Sequence, residues 1–176
     1  RGIYSFVVPI FGGRLWTTLS TLSLLIPAVD IGLAVQNPGT PYWVFLLLAL
    51  LCGFGGGNFA SSMANISFFF PKSKKGNALA INAGLGNLGV SVMQFAVPLA
   101  IGIGVFGVAL GGDPQAYFQN GVEKQIWLQN AGYIWVPFLV LSALAAWLGM
   151  NDIAAARASF REQAVIFRRK HNWIMC

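Results

Sequence analysis

The chain has 176 residues, 56% of them hydrophobic and only 9% charged, with a formal net charge of +6. Soluble domains carry about 25% charged residues, so this composition excludes a mainly water-exposed exterior and assigns most of the surface to lipid. Two cysteines and one histidine, none clustered, give no disulfide framework or metal site. No cofactor is expected.

Five apolar runs follow one another, at 1–11, 15–35, 43–70, 78–108 and 133–150. Each complete run is near or above the ~20 residues that cross a bilayer as a helix. Helices are the form expected, because lipid offers backbone groups no outside partner. The connectors are Gly12-Gly13, "QNPGTP" from Gln36, "PKSKKGN" from Pro71, and a polar stretch from Gly111 to Asn130. The first run opens at Arg1 without a methionine, and "HNWIMC" begins another apolar run, so a segment of a longer polytopic protein is expected.

Charge placement supports this parsing. Arg14 lies in the first loop, Lys72, Lys74 and Lys75 in the third, and five cations between Arg157 and Lys170 in the tail. The second loop has no basic residue, and Lys124 in the fourth is offset by Asp113 and Glu123. Basic residues mark cytoplasmic loops, so one topology fits all of them. The cations are topology and membrane-surface signals, and no nucleic-acid partner is expected. In the tail, Asp152 is suited to cap an amphipathic helix in which Ile153, Phe160 and Phe167 recur opposite arginines.

Gly84, Gly86 and Gly89 form a Gly-x-Gly-x-x-Gly. A dinucleotide loop would need a strand before it and an acid roughly 20 residues later. This one lies inside an apolar run with no acid before Asp113. Glycines in a membrane helix instead let neighbouring backbones approach closely.

Helix rise places Arg1 about 15 Å from the inner surface, and Phe59 and Asn87 each about 18 Å deep. Convergence near the midplane is where secondary transporters hold substrate. A central arginine costs at least ~2.5–3.5 kcal/mol on insertion scales and must face a cavity or a partner. With no evident buried acid beside it, Arg1 is suited to a planar oxyanion. The alternative is a structural arginine bonded to an acid elsewhere or to helix carbonyls. Asn58, Ser61, Ser62 and Asn65 make one polar stripe, and Asn87, Ser91 and Gln94 another. Asn82, Gly86, Gly89 and Met93 fall on a separate face suited to packing. Hydrogen bonding between helices without a ligand is the other explanation for these stripes.

"GNFASSMANISFFFPKSKKGNALAINAGLGNLGVSVMQ" closely resembles the nitrate/nitrite porters of the major facilitator superfamily, and the likeness extends through "YSFVVPIFGGRLW" and "WVPFLVLSALAAWLGMND". The stretch from Gly76 to Gly89 is similar to the first nitrate signature of that family. The resemblance implies an all-α, polytopic membrane bundle, the N-terminal half of a facilitator fold. Residues 1–150 would be the end of helix two through helix six, and 151–176 a basic cytoplasmic linker running into helix seven. It implies substrate contacts from Arg1, Phe59 and Asn87, and signature or hinge roles for Gly76, Gly84, Gly86 and Gly89. Asn58, Asn82 and Ser62 are lesser candidates. "FGGRLW" keeps the glycines and Arg14 but lacks the acid usual in that loop of the superfamily. Asp30 is unusual on an anion pathway.

The function expected is alternating-access transport of nitrate and nitrite across the inner (plasma) membrane by a monomeric, non-enzymatic protein. The basic loops and tail would be cytoplasmic, and a second six-helix half would complete the cavity. Exchange is favoured over proton symport, since the mid-depth runs hold no Glu, Asp or His. Transport of another small anion, or a non-transporting scaffold or sensor, are the alternatives.

Overall fold

The computed structural model describes residues 8, 10–106, 111–119 and 121–152. Its elements in chain order are α1 (Gly13–Ser23), α2 (Leu25–Gln36), α3 (Tyr42–Phe69), α4 (Lys72–Ile103), β1 (Gln115–Gln119), β2 (Val122–Ile126), α5 (Asn130–Tyr133) and α6 (Trp135–Gly149). Four spans among the described residues are long and apolar enough to cross a membrane: Gly13–Gln36, Tyr42–Phe69, Lys72–Ile103 and Asn130–Gly149. They correspond to the four complete runs of the sequence. Most of the first run, including Arg1, lies outside the described residues, as do the tail beyond Asp152 and the amphipathic helix expected there.

Two of the spans are broken, and proline accounts for both breaks. Pro27 has no N–H for the carbonyl of Ser23 and crowds it, so α1 gives way to α2 at Leu24, whose N–H bonds Thr21 O at 3.2 Å. Pro137 acts in the same way on the carbonyl of Tyr133, and α5 gives way to α6 at Ile134. The two breaks adjoin, because Gly132 of α5 packs against the Ala28 carbonyl of α2 with no room for a β-carbon. Pro98 lies inside α4 without ending it.

The hydroxyls of α1 turn inward on their own helix. Thr18 Oγ1 donates to Arg14 O at 2.9 Å, Thr21 Oγ1 to Thr17 O at 2.7 Å, and Ser23 Oγ to Ser20 O at 2.8 Å. These bonds make "TTLSTLS" compatible with an apolar span. Burial is the reverse of a soluble protein's. Thr18, Ser20, Ser61, Gln129 and Asn130 are buried, while Leu50 is 68% and Leu148 80% exposed. Such an exterior suits lipid, and small or hydrogen-bonded residues are what membrane helices place between themselves.

Two boundaries differ from the sequence reading. α4 starts at Lys72 rather than 78, because Pro71 caps it and Lys74 N and Lys75 N both bond Pro71 O at 3.0 Å. A proline at the cap leaves no N–H in need of a partner and presets the entry. The lysines therefore occupy the first turn of α4 instead of a loop. The stretch between Gly111 and Asn130 is not wholly irregular: β1 and β2 pair antiparallel, Tyr117 opposite Lys124 and Phe118 opposite Glu123.

Candidate functional site

The tight turn at Phe70–Pro71 sends α4 back along α3, and the two helices meet level by level. Asn82 Nδ2 donates to Met63 Sδ at 3.5 Å. Four residues further from the turn on each helix, Phe59 Cε2 lies 3.9 Å from where a β-carbon on Gly86 would stand. Asn87 follows Gly86, so it is level with Phe59. Asn82 and Gly86 thus use the packing face expected of them. Gly89 and Met93 on the same face do not reach α3: a β-carbon on Gly89 would meet nothing within 4 Å, and Met93 is exposed.

From Asn87 to Phe95 the helix stands clear of its neighbours. Asn87, Ser91 and Gln94 are exposed, and among the described residues their side chains have no hydrogen-bond partner. Gly76 and Gly84 also face open space. Phe59, 47% exposed, forms the opposite wall of this opening.

The polar stripe of α3 turns away from Asn87 and into the bundle. Ser61 Oγ donates to Asn58 O at 2.8 Å and to Asn58 Oδ1 at 2.6 Å, and Ser61 is buried. The Asn65 side chain lies against Gly13 of α1. Ser62 is half-buried. The Asn58 side-chain oxygen therefore takes its hydrogen bond within its own helix rather than from a neighbouring one.

Below this level a groove of about 490 Å³ runs between the inner halves of α3 and α4. Ile66, Phe70, Ile81 and Leu85 supply apolar walls, and Lys74, Asn77 and Asn82 the polar groups. The stripe from Lys74 to Asn82 leads from the inner end of the span toward Gly86. Among the described residues no group of three or more His, Cys, Asp or Glu stands together as a metal site.

Two polar knots were not legible as such in the sequence. Where α1 begins, Arg14 N donates to Asp152 Oδ1 at 3.0 Å, and the Arg14 guanidinium lies 4.4 Å from the centre of the Trp147 ring. Asp152 therefore serves the start of α1. At the opposite end of the spans, Gln129 Nε2 donates to Gly111 O at 2.7 Å and Asp113 O at 3.1 Å, while Gln115 Nε2 donates to Gln129 Oε1 at 2.9 Å. Asn130 Nδ2 reaches Ala100 O at 3.2 Å, and Trp127 N bonds Ile101 O at 3.0 Å. These bonds tie the hairpin to the outer end of α4. Asp30 sits midway along α2, exposed between the exposed Ile26 and Leu33.

Four apolar spans with small and polar residues buried between them define a multi-pass membrane protein of the helical-bundle class. The relatives agree. The chain is 57% identical over 173 residues to the nitrate/nitrite transporter NarU of Escherichia coli K12, covering 98% of this chain and 36% of that protein. It is 54% identical over 176 residues to the probable nitrate/nitrite antiporter NarK2 of Thermus thermophilus, covering 99% of this chain and 39% of that one. A second Thermus thermophilus protein, the probable nitrate/nitrite antiporter NarK1, is 34% identical over 79% of this chain and 28% of its own length. No protein-family model matches. Over nearly its whole length the chain is closely similar to nitrate/nitrite porters, and it spans 28–39% of the length of these three relatives.

Proposed function

We propose that this chain is part of the N-terminal half of a transporter that moves nitrate and nitrite by alternating access, most simply by exchange. The observation that carries the reading is the likeness at over 50% identity along nearly the whole chain to a nitrate/nitrite transporter and a probable nitrate/nitrite antiporter. The level pairing of Phe59 with Gly86 and Asn87 supports it, because it brings an aromatic wall and a free amide to one side of the bundle. Residues 1–150 form the end of helix two through helix six, and 151–176 the linker into helix seven. The basic first and third loops and the tail lie on the cytoplasmic side of the inner membrane.

In this reading Arg1 holds the planar anion through paired N–H groups. Asn87 adds amide donors, and the Phe59 ring closes one wall. Asn82 steadies the α3–α4 pair through Met63, while Asn58 and Ser62 shape the bundle side of α3. Gly76, Gly84, Gly86 and Gly89 keep one helix thin enough to rock against the second half of the transporter. Binding lowers the free energy of the closed form because the anion contacts both halves only there. The protein transports without changing its substrate chemically and works as a monomer.

The test uses the full-length transporter in proteoliposomes loaded with nitrite. Labelled nitrate uptake that needs internal nitrite, ignores a pH gradient and collapses in Arg1→Lys supports exchange through a bidentate arginine. Uptake driven by the gradient without internal nitrite replaces exchange with proton symport. No nitrate-dependent flux under either condition overturns the substrate assignment.

A further inference from the structure

The start of α1 lacks the usual means of closing a helix. Its N-cap is Gly12, which has no side chain to offer, and its backbone takes φ 87° and ψ 150°. That conformation is open to glycine almost alone. The first N–H groups of a helix need acceptors, more so beside lipid, and they favour negative charge. Asp152 supplies both, accepting from Arg14 N at 3.0 Å across a separation of 138 residues. The fit is close: a β-carbon on Gly12 would stand 2.7 Å from Asp152 Oδ1.

Three helices converge on this point. Trp147 of α6 carries the Arg14 guanidinium at 4.4 Å, and Asn65 of α3 lies against Gly13. Arg14 Nε is buried without a hydrogen-bond partner, so the aromatic face is the partner seen for that cation. On the other side, Gly12 N donates to Val8 O at 2.9 Å, so the clasp takes in the last turn before Gly12.

We infer that Asp152 is a positioning residue for substrate binding: by capping α1 it holds the start of that helix against α6 and against α3, the helix that carries Phe59. The carboxylate touches no substrate. It acts on anion affinity by fixing how α3, and with it the Phe59 wall, packs on α1. This inference rests on the anion-transport reading above.

The experiment measures nitrate uptake kinetics in the full-length transporter for Asp152→Ala, Asp152→Asn and Gly12→Ala. A second readout is the labelling rate, by a membrane-permeant maleimide, of a cysteine placed at Met150 in a background without other accessible thiols. Asp152→Ala should raise KM for nitrate about fivefold or more with kcat lowered less than twofold, and should speed labelling at least threefold. Asp152→Asn keeps an oxygen acceptor for Arg14 N and should recover most of both. Gly12→Ala displaces the carboxylate and should resemble Asp152→Ala. If Asp152→Ala does not reach the membrane, Gly12→Ala compared with Asp152→Asn decides in its place. KM and labelling both within twofold of the parent, in a protein with normal uptake, overturn the inference. So does a fall in kcat alone with KM unchanged, which a merely structural defect would give. A parent protein without nitrate uptake sinks the transport reading instead and with it the role in substrate binding, while labelling still reports on the clasp.

Discussion

Phe59 of α3 and Gly86 of α4 face one another across the helix pair, with ring atom Cε2 3.9 Å from the place a β-carbon on Gly86 would take. That is ordinary van der Waals distance, so the position accepts one methyl group and nothing larger without moving the ring. Gly86→Ala should keep thermal stability in detergent, or raise it slightly, since alanine is about 1 kcal/mol better than glycine inside a helix. Gly86→Leu should push Phe59 aside and cut nitrate uptake at least tenfold. Melting curves beside uptake assays check both.

Phe59 is nearly half exposed, so its removal costs little burial in the fold. Phe59→Ala should leave expression and melting temperature close to the parent. A lost aromatic contact of about 0.5–1.5 kcal/mol corresponds to roughly a 2- to 10-fold higher KM for nitrate. Phe59→Trp should retain most of the affinity. An equal fall in stability and uptake for Phe59→Ala would place the ring among packing residues.

Lys74 lines the groove between the inner halves of α3 and α4 beside Asn77 and Asn82. A cation at the mouth of an anion path raises the local anion concentration, and salt screens the effect. Lys74→Gln should lower the initial rate at which nitrite is taken up from that side by about 2- to 5-fold at low ionic strength. The difference should disappear in molar chloride-free salt. A rate deficit that ignores ionic strength would count against steering.

Gln129 is wholly buried and joins the loop carbonyls of Gly111 and Asp113 to Gln115. Gln129→Ala leaves those groups without partners, at about 1–3 kcal/mol for each buried group left unsatisfied. The melting temperature should fall, and the β1–β2 hairpin should become the first site of proteolytic cutting from the outer side. Gln129→Glu loses the amide donors while keeping the shape, and should be at least as damaging.

The membrane spans were legible because lipid imposes one simple rule, a long apolar helix, and the runs at 15–35, 43–70 and 133–150 follow it closely. The start of α4 was not, because Lys72, Lys74 and Lys75 look like loop residues by charge. Cations oppose the dipole at a helix N-terminus, so nothing in local helix stability predicts their place there. The hairpin had its own signal, Asn120-Gly121 between "QAYFQ" and "VEKQI", and Gly121 takes φ 76°. A reading tuned to apolar runs passes over two short polar strands.

Of the candidate site, the equal level of Phe59 and Asn87 followed from counting rise along two antiparallel helices. The partners did not follow. Asn58 and Ser61 satisfy each other within one turn, and a bond between i and i+3 leaves the same spacing in sequence as a stripe facing a cavity. Asp152 was read against its neighbours in sequence, whereas its partner Arg14 N lies 138 residues away. Periodicity reports local geometry and carries no information about contacts of that separation.

That separation also sets a timetable for biogenesis. At synthesis rates of about 5–20 residues per second, roughly 7–28 s pass between emergence of the first turn of α1 and arrival of the carboxylate that caps it. For that interval the α1 start must take its hydrogen bonds from water or headgroups at the membrane face, beside Arg14. Insertion of the first span is therefore provisional, and the end of α6 completes it.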